Sequence, residues 1–267
     1  DPQNPSYWCN KALALQMLEL YDEAMKACDK AIELAPNNAE AWGRKGEILR
    51  ELGALEEALK AYDKALKIDP NNPYILNEKG VVLKDMKRYN EALKCFDKAI
   101  KLMPNFVGPR INKGNLMNDM GFYEEALKCL DSALKIEPDN EIAWNSKGIA
   151  LYHLARYEES VAAFLNALRI DPEFAAAWYN LSNSLLKLGL YEEALNAVKR
   201  TRALEPEWAI AWYQEGAIYV MLGKEKTALK RLETALKLDP SLKEIIKNDT
   251  KFDPLRNNKR FKEIMGE

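Results

Sequence analysis

Apolar and polar positions alternate with a helical period over most of the chain, and residues 39–72 show this most clearly. In the first half of this stretch, apolar or small side chains recur every three or four positions, which predicts a helix with one apolar face. A second apolar stripe begins at Ala58 and predicts another helix. Gly53 separates the two helices, because glycine accepts the left-handed conformation of a C-terminal cap. Pro70 ends the second helix, since proline cannot continue one, and the asparagines that follow it suit turn and cap positions.

This pattern of helix, turn and helix repeats along the chain with a period of 34 residues. Its clearest marker is proline, which stands at Pro2, Pro36, Pro70, Pro104, Pro138, Pro172, Pro206 and Pro240. Every gap between these prolines is 34 residues, so the repeats contain no insertion. Such a period is typical of a repeat solenoid, in which neighbouring repeats bury a continuous core.

Small and large residues also recur at fixed positions of the repeat. The small ones are Gly46, Gly80, Gly114, Gly148 and Gly216 in the first helix, and Ala24, Ala58, Ala92, Ala126, Ala194 and Ala228 in the second. The large ones are Trp8, Trp42, Trp144, Trp178 and Trp212 in the first helix, and Tyr62, Phe96 and Phe164 in the second. This alternation predicts that the two helices of a repeat approach closely and interdigitate.

The recurring pattern W-x-x-x-G-x-x-L, G-x-Y-E-E-A, Y/F-x-x-A and D-P resembles the tetratricopeptide repeat and covers essentially the whole chain. The resemblance implies an all-α fold: a right-handed superhelical solenoid of stacked antiparallel helix pairs, with a concave groove lined by the first helices. Three departures stand out, namely Arg110 in place of Trp, Ser182 in place of Gly, and Thr201-Arg202 in place of an Ala-Leu pair. We expect these departures to loosen the local packing.

The repeat pattern divides residues 1–242 into seven tandem units. They are predicted at residues 5–38, 39–72, 73–106, 107–140, 141–174, 175–208 and 209–242. After Pro240 the pattern breaks, and residues 243–267 are predicted to form C-terminal capping helices. Residues 241–248 read as one more first helix, 249–255 as a turn, and 258–265 as a short amphipathic helix. Solenoids need such polar-faced ends. A basic tail that binds a partner is the alternative for the last helix.

Composition removes several classes of function. Lys and Arg number 39 against 41 Asp and Glu, so the chain lacks the basic excess expected for binding nucleic acid or an anionic membrane surface. No apolar run approaches the length of a membrane span. The four cysteines show no C-x-x-C spacing, and reduced thiols suit a cytoplasmic protein. The chain starts at Asp1 without Met, from which we expect it to be part of a longer protein.

Motifs for chemistry are missing from the sequence. The one histidine, His153, has no second His or Cys at ligand spacing, and no phosphate-binding glycine loop or nucleophile elbow occurs. The Glu-Glu pairs recur at helix starts, where the helix dipole favours carboxylates. We therefore expect no enzyme activity, no cofactor and no metal site.

Positions that stacking leaves free point to a binding function. If the geometry of the family holds, the groove lining is charged in the N-terminal third, rich in amides in the middle, and aromatic in the C-terminal third. Amides offer a donor and an acceptor, which lets them pair with the backbone of an extended peptide, and aromatic residues anchor apolar side chains. The candidate peptide-binding residues are Asn77, Asn112, Asn115, Asn145, Tyr152, Tyr179, Asn180, Asn183, Tyr213 and Gln214.

Two known binding modes of the family serve as references. The asparagines at one repeat position are similar to the asparagine ladder of O-linked N-acetylglucosamine transferase, although Arg44, Glu78 and Ser146 interrupt the column. The carboxylate clamp that grips chaperone tails needs cations at positions where this chain has none, so that mode is disfavoured.

The sequence thus predicts a scaffold that binds a peptide of a partner protein in its groove. Three alternatives stay open. In the first, the exposed amides are ordinary solvated surface. In the second, the chain is an assembly module that joins end to end. In the third, it is a regulatory arm of a larger enzyme.

Overall fold

The computed structural model describes residues 1–266, which form sixteen α-helices and one 3-10 helix and contain no strand. The first fourteen helices alternate as the first and second helices of seven repeats. They are α1 (Pro5–Met17), α2 (Tyr21–Leu34), α3 (Ala39–Glu51), α4 (Leu55–Ile68), α5 (Pro73–Asp85), α6 (Tyr89–Leu102), α7 (Val107–Asp119), α8 (Tyr123–Ile136), α9 (Glu141–His153), α10 (Tyr157–Ile170), α11 (Ala175–Lys187), α12 (Tyr191–Leu204), α13 (Ala209–Met221) and α14 (Glu225–Leu238).

The chain forms two compact bodies. The N-terminal body is Asp1–Gly121, and the C-terminal body begins at Phe122. Within each body the first helix of a repeat packs along its second helix, and that second helix packs against the next first helix, as α3, α4 and α5 do in one body and α9, α10 and α11 in the other. The all-helical, repeated architecture predicted from the 34-residue period is confirmed.

The turn between the two helices of each repeat uses a left-handed residue. Gly53 has φ 75°, as its predicted capping role requires, and four other glycines of the chain also have positive φ. Non-glycine residues occupy the same position at Glu19, Lys87 and Ala155, each with φ 59°. The turn geometry of the repeat therefore overrides the steric preference of those three residues.

The small positions of the first helix face the large side chains of the second, as predicted. A Cβ added at Gly80 would lie 2.5 Å from Cε1 of Phe96, and one at Gly148 would lie 2.5 Å from Cε1 of Phe164. Phe96 and Phe164 are almost completely buried. The ring fills the volume that the missing Cβ leaves, which is the interdigitation that the sequence pattern indicated.

A recurrent hydrogen bond ties each first helix to the turn before it. The indole Nε1 of Trp42 donates to the carbonyl of Pro36 at 3.0 Å, six residues earlier. The same bond occurs at Trp8, Trp144, Trp178 and Trp212. Arg110 stands at the tryptophan position in α7, and its Nη1 donates to the carbonyl of Phe106 at 3.2 Å. The substitution therefore preserves a donor toward the preceding turn.

The expectation that other departures loosen the packing is wrong for two of them. Ser182 and Thr201 are fully buried. The hydroxyl of Ser182 donates to the carbonyl of Ala194 at 2.9 Å, and that of Thr201 to the carbonyl of Ala197 at 3.4 Å. A buried hydroxyl that finds a backbone acceptor is accommodated, because it leaves no unsatisfied polar group.

The segment after α14 consists of α15 (Leu242–Asn248), a 3-10 helix (Thr250–Leu255) and α16 (Lys259–Met265). The predicted turn at residues 249–255 is thus mostly helical. Six apolar side chains of the segment are buried, namely Leu242, Ile246, Phe252, Leu255, Phe261 and Met265. On the basic side of α16, Arg260 donates from its Nε to Glu233 of α14 at 2.8 Å, although its side chain is mostly exposed. Residue 267 lies outside the described residues.

The four cysteines are free thiols. Cys28 stands at the repeat position that holds Tyr62 and Phe96 in the next two repeats, and it packs in the core of the first repeat. Burial raises the pKa of its thiol to about 12. No helix among residues 1–266 combines the length and apolarity that a membrane crossing would need.

Candidate functional site

The candidate residues lie on first helices. Asn77 belongs to α5, and Asn112 and Asn115 belong to α7, all in the N-terminal body. The other seven lie on α9, α11 and α13 of the C-terminal body. We call the surfaces that carry these residues the first-helix faces of the two bodies.

In the N-terminal body the amides form a relay. Asn112 Nδ2 donates to Asn77 Oδ1 at 2.9 Å, and Asn77 Nδ2 donates to Glu78 Oε1 at 2.9 Å. An ionised carboxylate only accepts hydrogen bonds, so Glu78 fixes the direction of both bonds. The relay therefore leaves the carbonyl oxygen of Asn112 available as an acceptor. Asn115, one turn further along α7, is half-buried.

Charged residues surround this relay. Arg50 Nε lies 3.9 Å from Glu78 Oε2, and Arg44 Nη1 lies 2.6 Å from Glu47 Oε2. Burial raises the pKa of Glu47, although the attraction of Arg44 acts against the shift. The predicted charged character of this part of the face is thus a set of opposite charges already in contact.

A second amide pair lies in the C-terminal body. Asn180 Nδ2 donates to Asn145 Oδ1 at 3.1 Å. Gln214 Nε2 donates to Asn183 Oδ1 at 2.8 Å and lies 3.3 Å from the hydroxyl of Ser182. Four of the candidate residues are therefore linked across neighbouring repeats.

Tyrosines flank these amides. Burial raises the pKa of Tyr179, and the neighbouring Asn183 side chain acts against this shift. The ring centroid of Tyr179 lies 4.9 Å from that of Trp208. Burial also raises the pKa of Tyr152, and the neighbouring hydroxyls of Tyr157 and Tyr179 add to the shift. The side chains that the sequence assigned to an aromatic region are thus close together in the C-terminal body.

Tyr213 is engaged by the C-terminal segment. Its hydroxyl donates to Asp249, and its ring lies 5.6 Å from that of Phe252. Burial and Asp249 raise the pKa of Tyr213. The pKa of Asp249 is lowered because the bonds from Tyr213 and Lys251 outweigh the opposing effect of burial.

The ten residues fall into two groups by exposure. Asn77, Asn145 and Gln214 are only 6 %, 8 % and 4 % exposed, so they support their neighbours from beneath. The remaining seven are partly exposed and form the accessible layer of the first-helix faces.

Sequence reasoning missed Glu78 and Asp249 as members of these networks. It compared residues 34 apart, at the same position of successive repeats. Two of the amide bonds instead join residues 35 apart, Asn77 with Asn112 and Asn145 with Asn180. A search for amide pairs at this offset would have found both bonds.

Comparison with known proteins places these helices in a family. Five profiles described as tetratricopeptide repeat match residues 5–38 and 73–106, 113–175, 27–60, 151–214 and 209–242. One profile described as TPR repeat matches residues 46–87. None of the curated proteins compared with the chain matches it.

Solved structures share the fold. The APC/C hetero-tetramer Cut9-Hcn1 superposes with a TM-score of 0.73 at 16% identity, over 95% of this chain and 52% of that one. A tetratricopeptide repeat protein from Parabacteroides merdae gives 0.70 at 18% identity, over 91% and 97% of the two chains. YrrB, described as a TPR protein with an unusual peptide-binding site, gives 0.55 at 21% identity, over 68% and 94%. With its family profiles and its repeated helix pairs, the chain belongs to the tetratricopeptide repeat family.

Proposed function

We propose that the chain is a non-catalytic scaffold that binds a peptide segment of a partner protein on its first-helix faces. The observation that carries the proposal is the pair of amide relays, Asn77 with Asn112 and Asn145 with Asn180. In each relay a buried amide holds an outer amide in a fixed orientation, so the outer group is ready for a ligand without further ordering. The described peptide-binding site of YrrB, a protein of the same fold, is consistent with this function.

The chemistry of the C-terminal body supports a peptide ligand. Tyr179 and Asn180 are adjacent on α11, and Asn183 lies near the hydroxyl of Tyr179. A peptide needs both elements, because amides satisfy its backbone and an aromatic ring covers its apolar side chains. Tyr213 would contribute through its ring, since its hydroxyl is already bound to Asp249.

We also propose that residues 1–242 form seven tandem repeats with the boundaries given above, and that the segment from residue 243 caps the last repeat. Phe252 and Phe261 pack with their ring centroids 6.4 Å apart, and Phe252 contacts Tyr213 of the last first helix. The segment would thereby cover the apolar surface that the last repeat leaves open.

Selection from a random peptide library tests the proposal. Peptides that bind the parent protein are measured against Tyr179→Ala/Asn180→Ala, which removes the ring and the outer amide. We expect affinity to fall about tenfold or more, as for loss of an anchor residue.

A matched control carries the same two residue types elsewhere in the C-terminal body. Asn166→Ala/Tyr191→Ala removes an amide of α10 whose hydrogen bond is exposed to solvent and a ring exposed at the start of α12. The control is expected to bind like the parent. If the selected peptides bound the Tyr179→Ala/Asn180→Ala protein as tightly as the parent, while circular dichroism showed it folded, the proposal would fail.

A second candidate function, self-assembly, rests on the N-terminal end. Apolar side chains are exposed along residues 7–20, with Met17 78 % and Leu18 67 % exposed. Contiguous apolar surface of this kind favours association. If the chain assembles there, light scattering will show a dimer that Met17→Glu/Leu18→Glu abolishes and Ile142→Glu/Leu165→Glu does not. A parent protein that stays monomeric at all concentrations contradicts this candidate.

A further inference from the structure

One position of the first helix carries opposite charges in different repeats. In four repeats it holds a lysine that pairs with an aspartate of the preceding second helix. These pairs are Lys45–Asp29, Lys79–Asp63, Lys113–Asp97 and Lys147–Asp131, at 2.5–2.6 Å. In α13 the position holds Glu215, and the residue sixteen positions earlier, which is aspartate in those pairs, is Lys199.

Glu215 is completely buried between two arginines. Arg202 of α12 places its Nε 3.0 Å from Glu215 Oε2, and Arg231 of α14 places its Nε 3.1 Å from the same oxygen. Neither N–H is aligned on the carboxylate as a hydrogen bond, so the contacts are ion pairs only. One buried carboxylate thus fixes two guanidinium groups side by side.

Aromatic rings pack against the two arginines. The guanidinium carbon of Arg202 lies 4.4 Å from the ring centroid of Trp212, and that of Arg231 lies 5.4 Å from it. Lys199 Nζ lies 6.0 Å from the ring centroid of Tyr219. Stacking on aromatic faces restrains the arginines, which lowers the entropy lost when they bind a ligand.

The charges in this cluster do not cancel. Arg202 and Arg231 have side-chain exposures of 28 % and 27 %, and within residues 1–266 neither has an ion-pair partner other than Glu215. The two arginines therefore carry one positive charge more than Glu215 neutralises. The Nη groups of the arginines therefore form the exposed, electropositive part of the cluster.

The cluster lies away from the candidate peptide residues. At 3.6 residues per turn, Trp212, Glu215 and Tyr219 share one side of α13, while Tyr213 points to a different side. The cluster is therefore a surface separate from the first-helix face of the C-terminal body.

Stability does not require this cluster. The same repeat positions elsewhere hold Leu168 for Arg202, Leu181 for Glu215 and Ala197 for Arg231, and these residues are all buried. Apolar residues at such sites usually stabilise a protein as well as a buried charge triad does, or better. Three coordinated charged substitutions that the packing does not need indicate a binding role.

We propose that Arg202 and Arg231, held by Glu215 and Trp212, form a docking site for an oxyanion carried by a peptide segment of a partner. The ligand group is a carboxylate of an acidic segment or a phosphoryl group on a side chain. Paired guanidinium groups recognise both through parallel N–H donors.

Fluorescence anisotropy at low ionic strength tests the site with three labelled probes. They are hexaglutamate, a glycine–serine peptide with one phosphoserine, and the same peptide without phosphate. The variant is Arg202→Leu/Glu215→Leu/Arg231→Ala, which installs the residues of the other repeats and should therefore fold. We expect the variant to bind hexaglutamate or the phosphopeptide at least about tenfold more weakly than the parent.

The pattern of binding identifies the source of the oxyanion. A loss confined to hexaglutamate assigns carboxylates, and a loss confined to the phosphopeptide assigns a phosphoryl group. Arg169→Gln is the matched control, because Arg169 is an exposed arginine of α10 that pairs with the exposed Asp139. Equal binding by the parent and the folded triple variant, or an equal loss in Arg169→Gln, overturns the proposal. The Tyr179→Ala/Asn180→Ala variant should bind the probes like the parent, so this test does not depend on the peptide proposal.

Discussion

Helix α13 and the earlier first helices share one repeat pattern but differ in the sign and the burial of the charge at one position. Lys79 pairs with Asp63 on a surface where their side chains are 23 % and 55 % exposed, whereas Glu215 is completely buried between two arginines. Both residues lie on first helices of 13 residues, at the same position of the repeat. The small and apolar positions of the repeat therefore set the helix packing. The position of Lys79 and Glu215, where a first helix meets the preceding second helix, accepts either charge when the neighbouring residues change with it.

The energetic consequences of the two arrangements differ. An exposed ion pair contributes little because water screens it. A buried carboxylate that loses its partners costs much more, since it is left uncompensated. Substitutions in α12–α14 should therefore have larger effects than equivalent substitutions in α4 and α5.

The largest expected effect comes from removing both arginines. Arg202→Leu/Arg231→Ala leaves Glu215 buried without a counter-ion and should lower the free energy of unfolding of the C-terminal body by about 3–5 kcal/mol. Urea denaturation followed by circular dichroism measures this change. Adding Glu215→Leu should restore the parent stability or exceed it by about 1–4 kcal/mol. A double variant as stable as the parent contradicts the assigned burial of the charge.

The small-residue position gives the next largest effect. In Gly148→Ala the new Cβ meets the ring of Phe164 at 2.5 Å, which should cost about 1–3 kcal/mol of unfolding free energy. In Gly216→Ala the Cβ meets Cδ2 of Leu232 at 3.0 Å, and because this flexible side chain can turn away the cost should be under about 1 kcal/mol. Equal losses in the two variants would show that ring contact does not set the spacing of the helices.

An amide substitution should have an intermediate effect. Asn180→Ala removes the donor to Asn145 Oδ1, a mostly buried acceptor, and should cost about 1 kcal/mol of unfolding free energy. Asn166→Ala is the control, because Asn166 donates to the carbonyl of Ala162 within its own helix and this hydrogen bond is exposed to solvent. Urea denaturation of the two variants shows whether the hydrogen bond between Asn180 and Asn145 stabilises the fold more than the exposed bond of Asn166 does. An equal loss of unfolding free energy in both variants would show that the bond between repeats contributes no more than the exposed one.

The smallest effect is expected at the exposed ion pair. Lys79→Ala should change the free energy of unfolding by less than about 1 kcal/mol, and added salt should reduce even that difference. A loss of unfolding free energy as large as that of the arginine double variant would show that the exposed Lys79–Asp63 pair contributes as much as the buried Glu215 cluster.

Most of the helical architecture could be predicted from the sequence, because small, large and turn residues recur together at one fixed period. The helix predicted to begin at Ala39 and to stop at Gly53 is observed as Ala39–Glu51. The left-handed turn residue and the contact between small and large residues were readable too, since each depends on local geometry or on the partner helix of the same repeat.

The networks could not be predicted because they depend on how neighbouring repeats are offset. The amides were aligned at 34 residues, yet Asn112 bonds to Asn77, 35 residues away. Arg202 was recognised only as a departure from the pattern, because Glu215 and Arg231 lie on two further helices. Their contact follows from packing in three dimensions, which the period alone does not specify.

Photo-crosslinking tests the central claim, peptide binding on the first-helix face, most directly. A library-selected peptide is irradiated with two proteins that carry p-benzoylphenylalanine in place of either Tyr179 or Tyr191. We expect a crosslinked product from position 179, which lies on the first-helix face, and none from position 191 at the start of α12. Crosslinking at 191 and not at 179 would place the peptide elsewhere and contradict the claim.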